Sequence, residues 1–194
     1  PYFSYISKKN YDLEILPGNE IYYHAESAEQ LDEGRALSLA GTDCVLVEFS
    51  PMDDARYIRN SVSELQNMGY RPIIAHVERY ASLCKAPFEM IEELREMGIM
   101  IQVNAMSVTG GFGKTSKDIA KKLLKRGLVD FIASDAHSDG GRAPKFAECI
   151  ECLEKICDSD YIEDINLKDN LRMLILTDFI KKDLSYEDIA RKDR

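Results

Sequence analysis

CVLVEF at residues 44–49, a helical pattern over 54–68 and RPIIAH at 71–76 together decide the fold. The first is a nearly continuous apolar run of the kind shown by a strand covered on both faces, interrupted only by Glu48, a carboxylate that needs a partner. After it, Ile58, Val62, Leu65 and Met68 recur at helical spacing, and Gly69 is placed to end that helix. RPIIAH then reads as the next strand. Strand, helix and strand in this order make a parallel βα unit, because a parallel partner is reached only by a long crossover.

Working outward, the unit repeats. Residues 87–97 read as a helix with Pro at its start and Gly98 at its end, and 99–104 (IMIQVN) as a strand. A Gly-rich loop at 110–113, a helix over 116–126 ended by Gly127 and a strand over 129–134 follow. Upstream, residues 12–16 (DLEIL) and 20–23 (EIYY) read as extended segments around Pro17-Gly18, with 28–39 helical or irregular. Downstream, a Pro-started helix over 144–157 and a final helix near 167–181 precede a charged tail. No linker is visible, so residues 1–194 are taken as a single domain. The alternation predicts an α/β protein, either a barrel or an open doubly wound sheet.

Composition narrows the function classes. With 45% hydrophobic and 30% charged residues the chain can bury a core. A net charge of -9 argues against binding a phosphate backbone, which needs a basic footprint, so nucleic acid is not expected as a partner. No apolar run is long enough to span a membrane and no signal-peptide pattern opens the chain, so a soluble, cytoplasmic protein is expected. Cys44, Cys84, Cys149, Cys152 and Cys157 are an odd, scattered set, which favours reduced thiols. The oligomeric state is left open, a homo-oligomer included.

Glu20, Glu48, His76 and Asn104 stand 28 residues apart and Asp135 follows 31 later, each at or near the end of an expected strand. Polar residues in this phase gather at the carboxyl rim of the strands, where α/β enzymes place their chemistry. Asp135 belongs to FIASDAHSDGGRAP at residues 131–144, an apolar strand followed by His137 and then Arg142. Three carboxylates (Glu20, Glu48, Asp135) and two imidazoles (His76, His137) form an oxygen and nitrogen donor set suited to Mn, Fe or Zn, with Mg also compatible. Without a cation, the carboxylates would repel one another. The plainer alternative is that each residue caps a helix or pairs with a surface lysine. Arg79 and Arg142 follow two of these strands in their loops, and guanidinium forks match phosphate oxygens bidentately. Their plainer alternative is a pair of surface ion pairs, with Glu78 and Asp139 close in sequence.

GNEIY at 18–22, LVEF at 46–49, PIIAHVERY at 72–80, QVNAMSVTGGFG at 102–113 and FIASDAH with the following GRAP carry a resemblance. In order and spacing they resemble the bacterial manganese-dependent tyrosine-protein phosphatases of the PHP (polymerase and histidinol phosphatase) superfamily, which are encoded with capsule and exopolysaccharide synthesis. The resemblance implies a distorted TIM-like (β/α)7 barrel of PHP type with as many as three divalent metals, most often Mn, at the rim. Glu20 resembles the family's bridging glutamate, Glu48 and His76 further ligands of the second metal, and Asp135 and His137 the final Asp-x-His pair. Arg79 and Arg142 match the two arginines expected to hold the phosphate. The implied substrate is phosphotyrosine on proteins, with the tail of a bacterial kinase as partner. In this sequence the family's HPERY is HVERY, with Val77 in place of proline, and the family's opening His-x-His is absent, the only histidines being His24, His76 and His137. The five strands found fall short of a closed barrel, so a missing amino-terminal segment of roughly two or three βα units is expected.

Other signals point elsewhere. No cysteine is followed at the sixth position by arginine, so a phosphocysteine route is not expected. GGFGKTS lacks P-loop spacing and reads as a rim loop shaping the substrate entrance. His24 matches no ligand position, and Cys149, Cys152 and Cys157 share a helix face with Phe146, Ile150, Leu153 and Ile156, which favours core packing over zinc. The expected function is thus metal-dependent hydrolysis of protein phosphotyrosine. The alternatives are a small-molecule phosphatase, such as one for histidinol phosphate, and a catalytically impaired fragment or binding module.

Overall fold

The apolar runs pair as parallel strands. The computed structural model describes residues 14–137, 146–167 and 179–181. After β1 (Glu14–Leu16) come β2 (Glu20–Tyr22), β3 (Cys44–Glu48), β4 (Arg71–Ile74), β5 (Met100–Asn104) and β6 (Phe131–Ala133), and β2 to β6 form one sheet in sequence order. Every pairing in it is parallel, with Leu46 opposite Ile73 and Asn104 opposite Ala133. Among the described residues β2 and β6 are its edges and the sheet does not close, so the architecture is α/β around an open five-stranded parallel sheet. The (β/α)7 barrel is not seen closed.

Seven α-helices are seen among the described residues: α1 (Ser27–Asp32), α2 (Ala55–Asn67), α3 (Glu89–Glu96), α4 (Ala105–Thr109), α5 (Lys114–Lys125), α6 (Ala147–Leu153) and α7 (Ser159–Leu167). The α2 helix starts where Asp54 accepts the Tyr57 N–H at 2.8 Å and buries Ile58, Val62 and Leu65 at helical spacing. These residues join Leu94, Ala120 and Leu123 against Val45, Val47, Ile74, Ile101 and Val103 of the sheet, forming the main core. Cys44, Leu46, Ile73, Ala75, Phe131 and Ala133 occupy the opposite face and form a second buried cluster with Leu39. Period-two alternation therefore divides β3, β4 and β6 between two cores, and for this reason their runs read as continuously apolar.

Two expectations change, and one unassigned stretch takes a form. The last helix, expected near 167–181, is not found as such: Phe179–Lys181 is a strand, β7, antiparallel to β1 with Glu14 opposite Lys181. That pairing joins the two ends of the sequence, which a local periodicity cannot register. The residues between Leu167 and Phe179 lie outside the described ones. Residues 105–109, to which the sequence reading assigned no element, form α4, which follows β5 without a break. The helix expected over 144–157 is Ala147–Leu153, its first residues lying outside the described ones.

At the amino end of β5 and β6, Arg95 donates to Asp130 Oδ1 at 2.9 Å and to the Gly127 carbonyl at 2.7 Å, while Asp130 Oδ2 accepts the Ile101 N–H at 2.9 Å. Asp130→Ala would leave a buried backbone N–H without its acceptor and Arg95 without its carboxylate. Urea denaturation should show a loss of about 2–4 kcal/mol; an unchanged midpoint would contradict this account.

Candidate metal centre

Glu20, Glu48 and His76 converge, each offering a donor atom within 4.8 Å of the others. Glu20 opens β2 and lies opposite Leu46, so it stands near Glu48, two residues on along the same face. It begins its strand, whereas the spacing had suggested an end. His76 needs a further device. Strand alternation would carry it with Ile74 to the helix-covered side, but its backbone turns left-handed (φ 34°, ψ 54°). The strand ends there, and His76 Nε2 lies 3.0 Å from Glu20 Oε1 and 3.4 Å from Glu48 Oε1. Asp135 is also left-handed (φ 46°), a conformation Asp tolerates better than most residues.

Tyr80 holds the other side of the His76 ring. Its buried hydroxyl accepts the Phe49 N–H at 3.1 Å and lies 3.2 Å from His76 Nδ1. A metal-ligating imidazole is characteristically held at its second nitrogen in this way. Arg79 sits 3.8 Å from Glu48, a long and partly exposed contact. Glu78, its neighbour in sequence, does not pair with it. Instead Glu78 is buried, and its Oε1 accepts from Ser107 Oγ at 2.5 Å and from the Asn104 N–H at 3.2 Å, while Oε2 has no hydrogen-bond partner among the described residues. Burial pushes the Glu78 carboxyl pKa up, against the hydrogen bond from Ser107. Glu78 thus fastens the turn Val77–Arg79 to the start of α4 and leaves Arg79 facing the carboxylates.

Asp135 and His137 form a second group. His137 Nδ1 lies 2.9 Å from the Asp135 carbonyl and 3.2 Å from its Oδ1, so with Nδ1–H donating, Nε2 keeps a free lone pair. Asn104 Nδ2 donates to Asp135 Oδ2 at 3.0 Å. This pair is not within the three-residue cluster; it follows β6 at the carboxyl end of the same sheet whose strand β4 leads to His76. Arg142 and Asp139 lie outside the described residues. His24 is exposed and accepts the Glu26 N–H in a local turn. All five cysteines are free, with Cys149 buried in the core and Cys152 and Cys157 packed against it.

Carboxylate and imidazole donors converging on one point fit a divalent cation. The protonation of the site says the same. Burial of His76 opposes its charge, yet the hydrogen bonds to Glu20 and Glu48 prevail and push its pKa up from 6.5 to about 9. The hydrogen bond from His76 holds Glu48 below its ordinary value despite partial burial. An imidazolium therefore occupies the place of positive charge among the carboxylates. Because the folded pKa of His76 exceeds the unfolded value of 6.5, its stabilisation is full below that pH and is lost as pH rises through about 9. Glu48 contributes the opposite way, its stabilisation being lost as pH falls through its lowered value. Metal-free protein should lose up to about 3 kcal/mol between pH 6.5 and 9. A divalent ion needs the neutral imidazole, so the stabilisation from added Mn²⁺ should grow over the same range. Thermal melts with and without chelator check both trends; flat profiles would refute them.

Fold and site together define an α/β protein with a candidate divalent-metal centre at one edge of a parallel sheet. Residues 3–175 match the family described as capsular polysaccharide synthesis, CpsB/CapC, and the chain belongs to that family. It is 36% identical over 149 residues to the tyrosine-protein phosphatase YwqE of Bacillus subtilis, covering 76% of this chain and 58% of that one. With the tyrosine-protein phosphatase CpsB of Streptococcus pneumoniae the identity is 31% over 174 residues, covering 87% and 71%. The chain thus spans a little over half the length of YwqE. A chain from the crystal structures of YwqE and CpsB, described as unique metal-dependent tyrosine phosphatases, superposes with a TM-score of 0.74 at 33% identity, covering 82% of this chain and 64% of that one.

Proposed function

We propose that the protein is a metal-dependent phosphomonoesterase acting on phosphotyrosine in proteins, its substrate being a bacterial tyrosine kinase that governs capsule or exopolysaccharide synthesis. The observation that carries this reading is the convergence of Glu20, Glu48 and His76 with Arg79 beside them. In it, Glu20, Glu48, His76, Asp135 and His137 hold the divalent ions, manganese foremost, with Fe, Zn and Mg fitting the same donors. The parallel sheet is read as part of a (β/α)7 barrel of PHP type, and the protein as acting in the cytoplasm. The membership in the capsular polysaccharide family and the names of the relatives support the substrate class.

When bound, such ions lower the pKa of water and neutralise charge on phosphoryl oxygens. The chain's own residues do the rest. Tyr80 keeps the His76 ring oriented so that Nε2 faces Glu20 and Glu48. Arg79 releases its long contact with Glu48 and takes two phosphoryl oxygens with its guanidinium fork, and Arg142 supplies a second fork from the loop after Asp135. In this reading the two guanidinium groups, that of Arg142 by its resemblance alone, hold the phosphorus in line for attack.

The protein, stripped of metal and reloaded with Mn²⁺, should hydrolyse a phosphotyrosyl peptide only in the loaded state. Its kcat/KM on the peptide should exceed that on histidinol phosphate by at least about tenfold, a difference of roughly 1.4 kcal/mol in transition-state binding. The reverse preference would give the small-molecule reading the advantage, and metal-independent or absent turnover would sink the phosphatase reading.

A further inference from the structure

Two buried amides link the two halves of the candidate centre. The His76 N–H donates to Gln102 Oε1 at 2.6 Å, Gln102 Nε2 donates to Asn104 Oδ1 at 2.9 Å, and Asn104 Nδ2 donates to Asp135 Oδ2 at 3.0 Å. Gln102 and Asn104 stand two apart on β5 and so share its face, lying between β4, which leads to His76, and β6, which leads to Asp135. They are 2% and 0% exposed, so water cannot substitute for either amide.

The direction of this chain follows from its first link. A backbone N–H can only donate, so the oxygen of Gln102 must face His76 and its NH₂ must face Asn104. The oxygen of Asn104 then faces Gln102, and its NH₂ is left for Asp135. We propose that Gln102 and Asn104 are positioning residues, a directional amide relay by which the backbone of His76 fixes the donor that orients the Asp135 carboxylate for a divalent ion. The inference rests on the proposed metal centre. Through the relay, the β4 and β6 ligands are set relative to each other by fixed dipoles and need not find their places separately, and Oδ1 of Asp135 stays on the side of His137. Neither amide reaches substrate or metal; both act through Asp135.

The relay's direction makes it testable at a distance. In Gln102→Met, the acceptor for the His76 N–H and the donor to Asn104 are both lost with little change of shape, so nothing fixes the Asn104 NH₂ toward Asp135. Asn104→Leu removes the donor outright with little change of shape. Calorimetric titration of Mn²⁺ into metal-free protein should show affinity lowered about 10- to 100-fold in each variant. The double variant should lose little more than either alone, because both break one chain. Melting of the metal-free proteins identifies any variant that is simply unfolded, and should Asn104→Leu fail to fold, Gln102→Met alone decides. Wild-type Mn²⁺ affinity in the folded variants, alongside lost affinity in Asp135→Asn, would overturn the relay and leave the metal centre standing. Additive losses in the double variant would also overturn it. Absence of Mn²⁺ binding by the wild-type protein would overturn the metal centre and the relay with it.

Discussion

His76→Ala is expected to lower Mn²⁺-dependent kcat/KM on a phosphotyrosyl peptide by about 10³-fold or more, some 4 kcal/mol of transition-state stabilisation. The ring is the only nitrogen donor in the cluster with Glu20 and Glu48, and it is held from both sides, by Tyr80 at Nδ1 and by the carboxylates at Nε2. Removing it leaves two carboxylates facing each other with neither proton nor imidazole between them. The substitution should therefore also abolish the stability change between pH 6.5 and 9 that the raised pKa of His76 produces in metal-free protein. The double readout matters: lost turnover with an unaltered pH profile would mean that the ring is catalytic without being the charged centre of the cluster, and wild-type turnover would remove His76 from the site.

Arg79→Ala is expected to cost about 10²- to 10³-fold in kcat/KM with Mn²⁺ affinity unreduced, because a positioned charge on the transition state is worth that much in a partly desolvated site. Among the described residues its ion-pair partner is Glu48 at 3.8 Å, and both side chains are partly exposed, so stability should change by less than about 1 kcal/mol. Loss of a positive charge beside the carboxylates would, if anything, favour a cation there. Arg79→Lys should recover only part of the rate, since an ammonium cannot reproduce the planar fork. Full activity in Arg79→Lys would show that Arg79 acts as a point charge, and weakened Mn²⁺ binding in Arg79→Ala would show that it supports the metal site instead of the phosphate.

β3, β4 and β6 were legible because both of their faces are buried and so write short apolar runs, and the helices because Gly69, Gly98 and Gly127 mark their ends. The convergence of Glu20, Glu48 and His76 was foreshadowed by their common spacing, although Glu20 begins its strand, Glu48 ends its own and His76 lies beyond the end of β4. The role of Asp135, His137 and Arg142 remains a proposal. Tyr80 and Glu78 sat within the quoted HVERY motif, but nothing in the motif says that one side chain turns to the histidine ring and the other into the core. Only the path of the turn Val77–Arg79 decides that.

By itself, then, the sequence determined the parallel α/β architecture, the order of its units and the residue types gathered at one edge, because burial and helix termination are local properties that composition and period record. Tertiary structure alone decided three things. The left-handed turn at His76 sets its ring among the carboxylates against strand alternation, β1 pairs with β7 across the length of the chain, and the amides of Gln102 and Asn104 take their direction from a backbone N–H on a neighbouring strand. Each depends on groups distant in sequence whose geometry exists only once the strands have docked, and a hydrogen bond's direction is set by what stands opposite it.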